Sequence, residues 1–410
     1  MGEEKEIFFT RNKSLSLFYS AKSLRRREET EVQGYAVRVL AGGGLGFSYT
    51  EKEEDLGRAT ETARGLAKYS PRPNFHFPAK EKLPKLQLRD TKIAEIDACR
   101  LKEIFEKVRE GAEKYRGNAQ ITMETNCSSI AIENTAGFSG QYETTRIQIN
   151  IEVMDGNGFG FFSNAFPKLP KEEDFYKFGE EAAEMARESK NPKRVQNGKY
   201  IVAFEPDAFG NLIDVLLPSF HGELKKRKIS YLHDKLGRQV FSDSLTITDD
   251  PLLAYGVNSQ PFDDEGVPSV AIPLVEKGVV KNCIYNLEVA SLEGVVDKGR
   301  CMRASCQSVP DIGFSNIVVT PGEMGDDEGE LSVLSFHGTH TANTTTGDFG
   351  VEVNLAFLQK EGKREPVRDF MITGNIFNLF KNIYGIGKKQ KRVSGFLGPR
   401  IAFSDVQVVR

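Results

Sequence analysis

Histidine and cysteine are both scarce in this chain of 410 residues, with five of each. The cysteines, Cys99, Cys127, Cys283, Cys301 and Cys306, are odd in number, mostly far apart and without a CxxC pair. That excludes a disulfide framework and zinc-ribbon spacing and suits the reduced thiols of a cytosolic protein. Also missing is any run of 18 apolar residues, and the opening MGEEKEIFF is acidic rather than cationic and then apolar. A membrane span and a secretory leader are therefore not expected, and the predicted location is cytoplasmic. Charge of one sign is lacking too: 55 Lys and Arg stand against 58 Asp and Glu, a net charge of -3. Such a balance gives no field toward an anionic membrane and argues against direct nucleic-acid binding. The basic clusters Lys225 to Lys228 and Lys388, Lys389, Lys391, Arg392 have no interleaved aromatics and read as solvated faces. No G-x-S-x-G elbow occurs, and no Ser or Cys stands out beside a His, so nucleophilic catalysis finds no support.

A chain of this length exceeds what one core usually serves, and two domains are expected. Two N-terminal segments look alike, YAVRVLAGGGLGFSYT (35–50) and IQINIEVMDGNGFGFFS (147–163). Each alternates apolar residues into a glycine-rich turn and then a second strand, the hairpin pattern, and each is followed by an acidic segment with helical periodicity. Together they suggest an internal duplication. GGGLG at Gly42 to Gly46 has no following lysine and runs into FSYT, so it reads as a hairpin turn rather than a phosphate loop. Between the hairpins, Leu101, Ile104, Phe105, Val108, Ala112 and Tyr115 share one face of a helix. The polar stretch SKNPKRVQNGK (189–199) marks a boundary. Beyond it come short strands and turns, with helical patterns near 208–224 and 375–384. The expected fold is α+β: an N-terminal α/β domain of hairpins and helices over residues 1–195, and a β-rich C-terminal domain over 196–410.

Three places could carry chemistry. LIDVLLPSFHGELKKRK (212–228) puts His221 and two carboxylates, Asp214 and Glu223, on an apolar, helix-like segment. His337 and His340 in SFHGTHT lie three apart, a spacing that converges on one ion from a turn but not from a straight strand. Asp249 and Asp250 in TDDP, and Asp263, Asp264 and Glu265 in FDDEG, could bind a hard cation or do acid/base work, yet next to Pro and Gly they also suit turn-forming roles. His76 and His233 read as surface or packing residues.

The stretch LTITDDPLLAYGVNSQPFDDEGVPSVAIPLVEKGVVKNCIYN (245–286) resembles the central signature of the TldD/PmbA metalloprotease family, also called the modulator of DNA gyrase family. SNIVVTPGE, TTGDFG and PVRDFMITGNIFNLF follow in the family's order, and YAVRVLAGGGLGF and IENTAG precede it. The resemblance implies a two-domain protein whose dimer encloses a chamber for cleaving unfolded peptides. In the TldD branch, it further implies an HExxxH helix giving two zinc ligands and a base, with a cysteine near the C-terminus completing the site. Counting back without gaps from Asp249 and Asp250 places that window here on Ile213, Asp214, Val215, Leu216, Leu217 and Pro218. Ile213 and Pro218 then stand where the histidines belong, and the base is shortened to Asp214. Using His221 as the second histidine puts Leu216 and Leu217 where His and Glu should be. No cysteine follows Pro366. The chain therefore resembles the TldE/PmbA branch, the subunit without the metal motif, and is expected to hold no cofactor of its own. Zinc is expected in an HExxxH-bearing, TldD-like partner, and this chain is expected to be a homodimer when alone. Asp249, Asp250, Asp263, Asp264 and Glu265 are expected to organise turns beside the chamber, and His221 and Glu223 to form a surface helix end. The alternatives are a stand-alone metallopeptidase using His221, Glu223, His337 and His340, and a non-hydrolytic peptide-binding or regulatory homodimer.

Overall fold

Long strands with apolar residues at every second position dictate the first layer of the computed structural model, which describes residues 2–70, 75–326, 328–360 and 363–410. Strands β1 (Glu4–Ser20), β2 (Ser23–Ala41), β3 (Gly44–Thr50), β4 (Asn118–Asn134), β5 (Ser139–Asp155) and β6 (Gly158–Phe166) form an antiparallel sheet in the order β3-β2-β1-β4-β5-β6. The β1–β4 seam lies at its centre. On either side stands the same unit, a long hairpin, a third strand and a helix, α1 (Leu56–Ala67) in one and α3 (Glu172–Glu188) in the other. The duplication suggested by the two hairpin sequences is thus present in three dimensions. Gly42 and Gly43 take φ of +60° and +87° in the tight turn into β3, so GGGLG is the expected hairpin turn.

The glycines just after the turns matter for a second reason. A Cβ on Gly46 would sit 1.7 Å from the Ala63 carbonyl oxygen, and one on Gly160 would sit 2.0 Å from that of Ala182. Each helix therefore lies directly on the backbone of its third strand, alanine against glycine. Helix α2 (Ala98–Ala112) begins at Asp97, whose carboxylate accepts from the Arg100 N–H at 2.8 Å. It buries Leu101, Ile104, Phe105, Val108 and Ala112, the expected face.

The C-terminal half builds an 11-stranded sheet. Five of its strands, β7 (Gly198–Phe204), β8 (Leu331–His337), β9 (Asp348–Lys360), β10 (Phe370–Asn375) and β11 (Phe396–Val409), close into a ring, because β7 pairs with β8 in parallel and with β11 antiparallel. Helix α4 (Pro206–Leu216) packs against this barrel, with the Phe209 ring edge-on to Phe396 at 5.4 Å. The helical pattern expected over 208–224 is broken. After α4 come a 3-10 turn (Leu217–Phe220) and a short helix (Gly222–Lys226), since Pro218 lacks an N–H and His221 is extended at φ −71°, ψ 118°. The expected helix near 375–384 shrinks to Ile376–Lys381, capped by Asn375. Both halves together make the α+β fold expected, and among the described residues no helix is long and apolar enough to cross a membrane.

The glycine contacts generate a stability test. Gly160→Ala should lower the unfolding free energy in a urea titration by about 1–3 kcal/mol through overpacking. Gly65→Ala, on the open side of α1 with nothing within 4 Å, should raise it by about 0.5–1 kcal/mol.

Candidate functional site

Glu6 in β1 and Arg38 in β2 turn charged side chains onto the buried face of the sheet. Arg38 grips Glu6 with two hydrogen bonds of 2.8 Å and reaches across to Glu265 of the C-terminal half at 2.6 Å. Arg303 returns from the C-terminal half to Glu6 at 3.0 Å. The four side chains are no more than 3% exposed. Each guanidinium also lies over a ring, Arg38 over Phe77 and Arg303 over Phe8. Beside them Phe262 inserts between Phe138 and Tyr142 of the N-terminal half, at ring distances of 5.3 and 5.1 Å. Charge and aromatic packing thus bind the two halves at one place.

The expected acidic residues fall around this junction. Asp249 is fully buried and accepts from Arg300 at 2.7 Å and from both the N–H and the hydroxyl of Ser315. Asp250 accepts from the Leu252 N–H at 2.8 Å, a turn contact. Asp263 accepts from the N–H groups of Glu265, Val267 and Cys301. Carboxylate oxygens of Asp263, Glu265 and Asp297 all lie within 4.8 Å of one another. Burial, then the charges of Asp297 and Glu265, hold the Asp263 carboxyl well above the usual carboxylate range. Burial and then Glu265 push Asp297 up to about 7. Asp264 accepts from the Arg303 N–H at 2.6 Å, and burial raises its carboxyl to about 6 despite that contact. It lines a cavity of about 280 Å³ between the halves, together with Phe8, Val32, Asn258 and Arg303.

Asn258 also lines a second cavity, of about 440 Å³, which lies between α4 and Phe161 and Ser163 of β6. This is where the structure places the degenerate window. Ile213 belongs to the barrel core and borders the cavity, and Asp214 opens into it. The Asp214 side chain is exposed to solvent there, and partial desolvation by the surrounding protein raises its carboxyl to about 6. Around it stand Asp207, Asn211, Asn258, Ser315 and Ser394. Asp207 is engaged by Lys391 at 2.9 Å. One free carboxylate among amides and hydroxyls does not fit zinc, which takes three or four ligands drawn from thiolate, imidazole and carboxylate.

The histidines are elsewhere. His221 is half-buried rather than a surface helix end, its Nδ1 has no hydrogen-bond partner, and burial lowers its pKa. Glu223 lies 3.6 Å from Arg227. His337 ends β8 with Nε2 3.0 Å from Asn354, and His340 is exposed in the turn Thr339–Thr341. His76 is exposed beside Glu4. Among the described residues the one group of three potential ligands is Asp263, Glu265 and Asp297, so His221, Glu223, His337 and His340 do not converge. Sequence reasoning missed Glu6, Arg38, Arg300, Arg303, Asp297 and Asn258. For Arg38 a signal existed, a charge inside the apolar run YAVRVLA (35–41); for the others there was none.

The raised carboxyls make stability depend on pH with a definite sign. Asp264 and Asp297 keep their protons to higher pH in the native state than in the unfolded chain, where a carboxyl titrates near about 3.9. The native state therefore binds more protons through the window up to about 6 for Asp264 and about 7 for Asp297, and stability declines as pH rises through it. Urea unfolding at pH steps between those limits should show that decline, and Asp297→Asn should flatten it; an unchanged slope in the variant would refute the assignment.

The PmbA/TldA metallopeptidase C-terminal domain model matches residues 197–410, domain 1 matches 6–67 and the central domain matches 90–190. An uncharacterised protein of Methanocaldococcus jannaschii is 29% identical over 98% of this chain and 95% of its own length. The TldE structure from Thermococcus kodakarensis superposes with a TM-score of 0.88 at 22% identity, covering 99% of this chain and 97% of that one. A Thermotoga maritima protein described as a modulator of DNA gyrase superposes with a TM-score of 0.90 at 23% identity, covering 100% and 96%. With matched models running along nearly all of its length, the chain belongs to the PmbA/TldD metallopeptidase family.

Proposed function

We propose that this chain is a TldE-like, non-catalytic subunit of a cytoplasmic metallopeptidase of the TldD/TldE type. What supports the reading is the window 213–218, where the ungapped count sets Ile213 and Pro218 at the histidine positions, and where Asp214 is the carboxylate lining the cavity beside an Asp207 already paired with Lys391. Hydrolysis by the family's chemistry needs a metal-activated water and a positioned base together, terms worth many orders of magnitude in rate. A lone Asp214 supplies neither the metal nor its nucleophile. What remains is binding. The N-terminal unit (1–195) and the barrel unit (196–410) leave two cavities that share Asn258 along their boundary, a path suited to an extended, unfolded peptide. In this reading the chain completes a dimeric chamber whose zinc and HExxxH helix belong to a TldD-like partner.

The purified chain is expected to hold no stoichiometric zinc by elemental analysis after gentle purification, and one tightly held zinc per chain would revive a stand-alone enzyme. In a peptide-cleavage time course, activity is expected only when the chain is mixed with an HExxxH-bearing relative from the same source, and it should vanish with a chelator. Chelator-sensitive cleavage by this chain alone, persisting through a further gel-filtration step, would overturn the proposal.

A further inference from the structure

The two halves of the N-terminal sheet differ at one place. β1 pairs with β2 along its length, with a bulge at Arg25 where the register passes from Phe18↔Arg26 to Tyr19↔Leu24, but β3 covers β2 only from Tyr35 to Ala41. Residues 24–33 of β2 are left as a sheet edge, and among the described residues no backbone hydrogen bond from any other segment reaches them. The duplicated unit treats its edge differently. Aligning Gly44 with Gly158 places Glu31 at Thr145, and the Thr145 N–H donates to the Leu88 carbonyl at 3.1 Å while its hydroxyl accepts from the Asp90 N–H at 2.8 Å. One repeat covers the edge with its own chain; the other leaves it open. The open edge also carries two exposed apolar side chains, Leu24 at 42% and Val32 at 61%.

We infer that this edge of β2 is the surface on which a second copy of the chain pairs, antiparallel about a two-fold axis at Glu28, joining two six-stranded sheets into one. The sequence RRREETE (25–31) is complementary to itself about that point. Arg26 meets Thr30 of the second copy and Arg27 meets Glu29, while the bulge at Arg25 sets that side chain beside Glu31 and turns Leu24 to the helix face, away from Val32. Opposed residues on antiparallel strands stand about 4.5–5.5 Å apart at Cα, within reach of these side chains. Charged edges usually repel other strands, but three Arg and three Glu arranged in this order reject most partners and accept their own copy. Glu28 meets itself on the axis, where Arg26 of its own chain, 3.5 Å away, offsets the like charge. Glu31 already contacts Arg11, and Glu29 lies 3.8 Å from Lys13, so each incoming Arg extends an existing ion pair. In this register odd residues face odd, which keeps both helix layers on one side. The cavities lined by Val32 and Gln33 then open on the same opposite side, toward one shared space.

The inference rests on the proposed dimer and names its surface. Two variants test it, one with an all-acidic edge, Arg25→Glu with Arg27→Glu, and one with an all-basic edge, Glu29→Lys with Glu31→Lys. By light scattering at micromolar concentration the unaltered chain should be dimeric, and each variant alone should dissociate at least tenfold more readily. An equimolar mixture of the two should restore a one-to-one dimer by native mass spectrometry. Variants that stay dimeric alone, or a mixture that does not reassociate, would overturn the edge while leaving the dimer standing; a monomeric unaltered chain would overturn both. Should either variant misfold, Glu28→Cys in a Cys99→Ser background decides instead, because a two-fold at that residue gives a disulfide-linked dimer under mild oxidation. Failure to cross-link there would contradict the register.

Discussion

Arg38 is the residue on which the arrangement of the halves depends. It lies in a strand of the N-terminal sheet, holds Glu6 of the neighbouring strand with two hydrogen bonds and spends its remaining nitrogen on Glu265 of the C-terminal half. A guanidinium buried this deeply is tolerated only with its charge matched and its N–H groups satisfied, and removing one partner from such a pair costs about 3–5 kcal/mol. Arg303 completes the network, so two anions and two cations cancel within a buried junction. The same contacts that relieve the burial of Glu6 and Arg38 fix where the barrel sits against the sheet.

The cavities follow from that fixed placement. One lies against the junction and is lined by Asp264 and Arg303; the other lies between β6 and α4, and Asn258 belongs to both. Asp214 projects into the second because α4 buries Ile213 against the barrel and leaves the next position turned outward. Helix α4 thus forms one wall of that cavity and lends it Asp207, Asn211 and Asp214.

Much of the fold was legible because its signals are local. The hairpins at 35–50 and 147–163 show two-residue alternation around glycine turns, and the helices show three-to-four-residue spacing, so both kinds of element and their repetition could be read. Pro218 was equally visible, yet its effect in cutting the 208–224 pattern into three pieces was not drawn. The central β1–β4 seam was missed, because pairing between strands more than a hundred residues apart leaves no periodicity of its own. The site divided in the same way. Asp249, Asp263, Asp264 and Glu265 were found through their motif, but their partners Arg300, Arg303, Arg38 and Glu6 are set by tertiary contact. Nothing in FDDEG announces that Glu265 will meet a cation from residue 38.

The central claim is that this junction makes the two halves one cooperative body and so holds the cavities open between them. A double-mutant cycle on Arg38→Met and Glu265→Gln, followed by urea unfolding with probes in each half, tests it most directly. The account predicts a single transition in the unaltered chain, separate transitions for the two halves in each single variant, and a coupling energy of about 1–3 kcal/mol. Additive effects with both halves still unfolding together in every variant would contradict it.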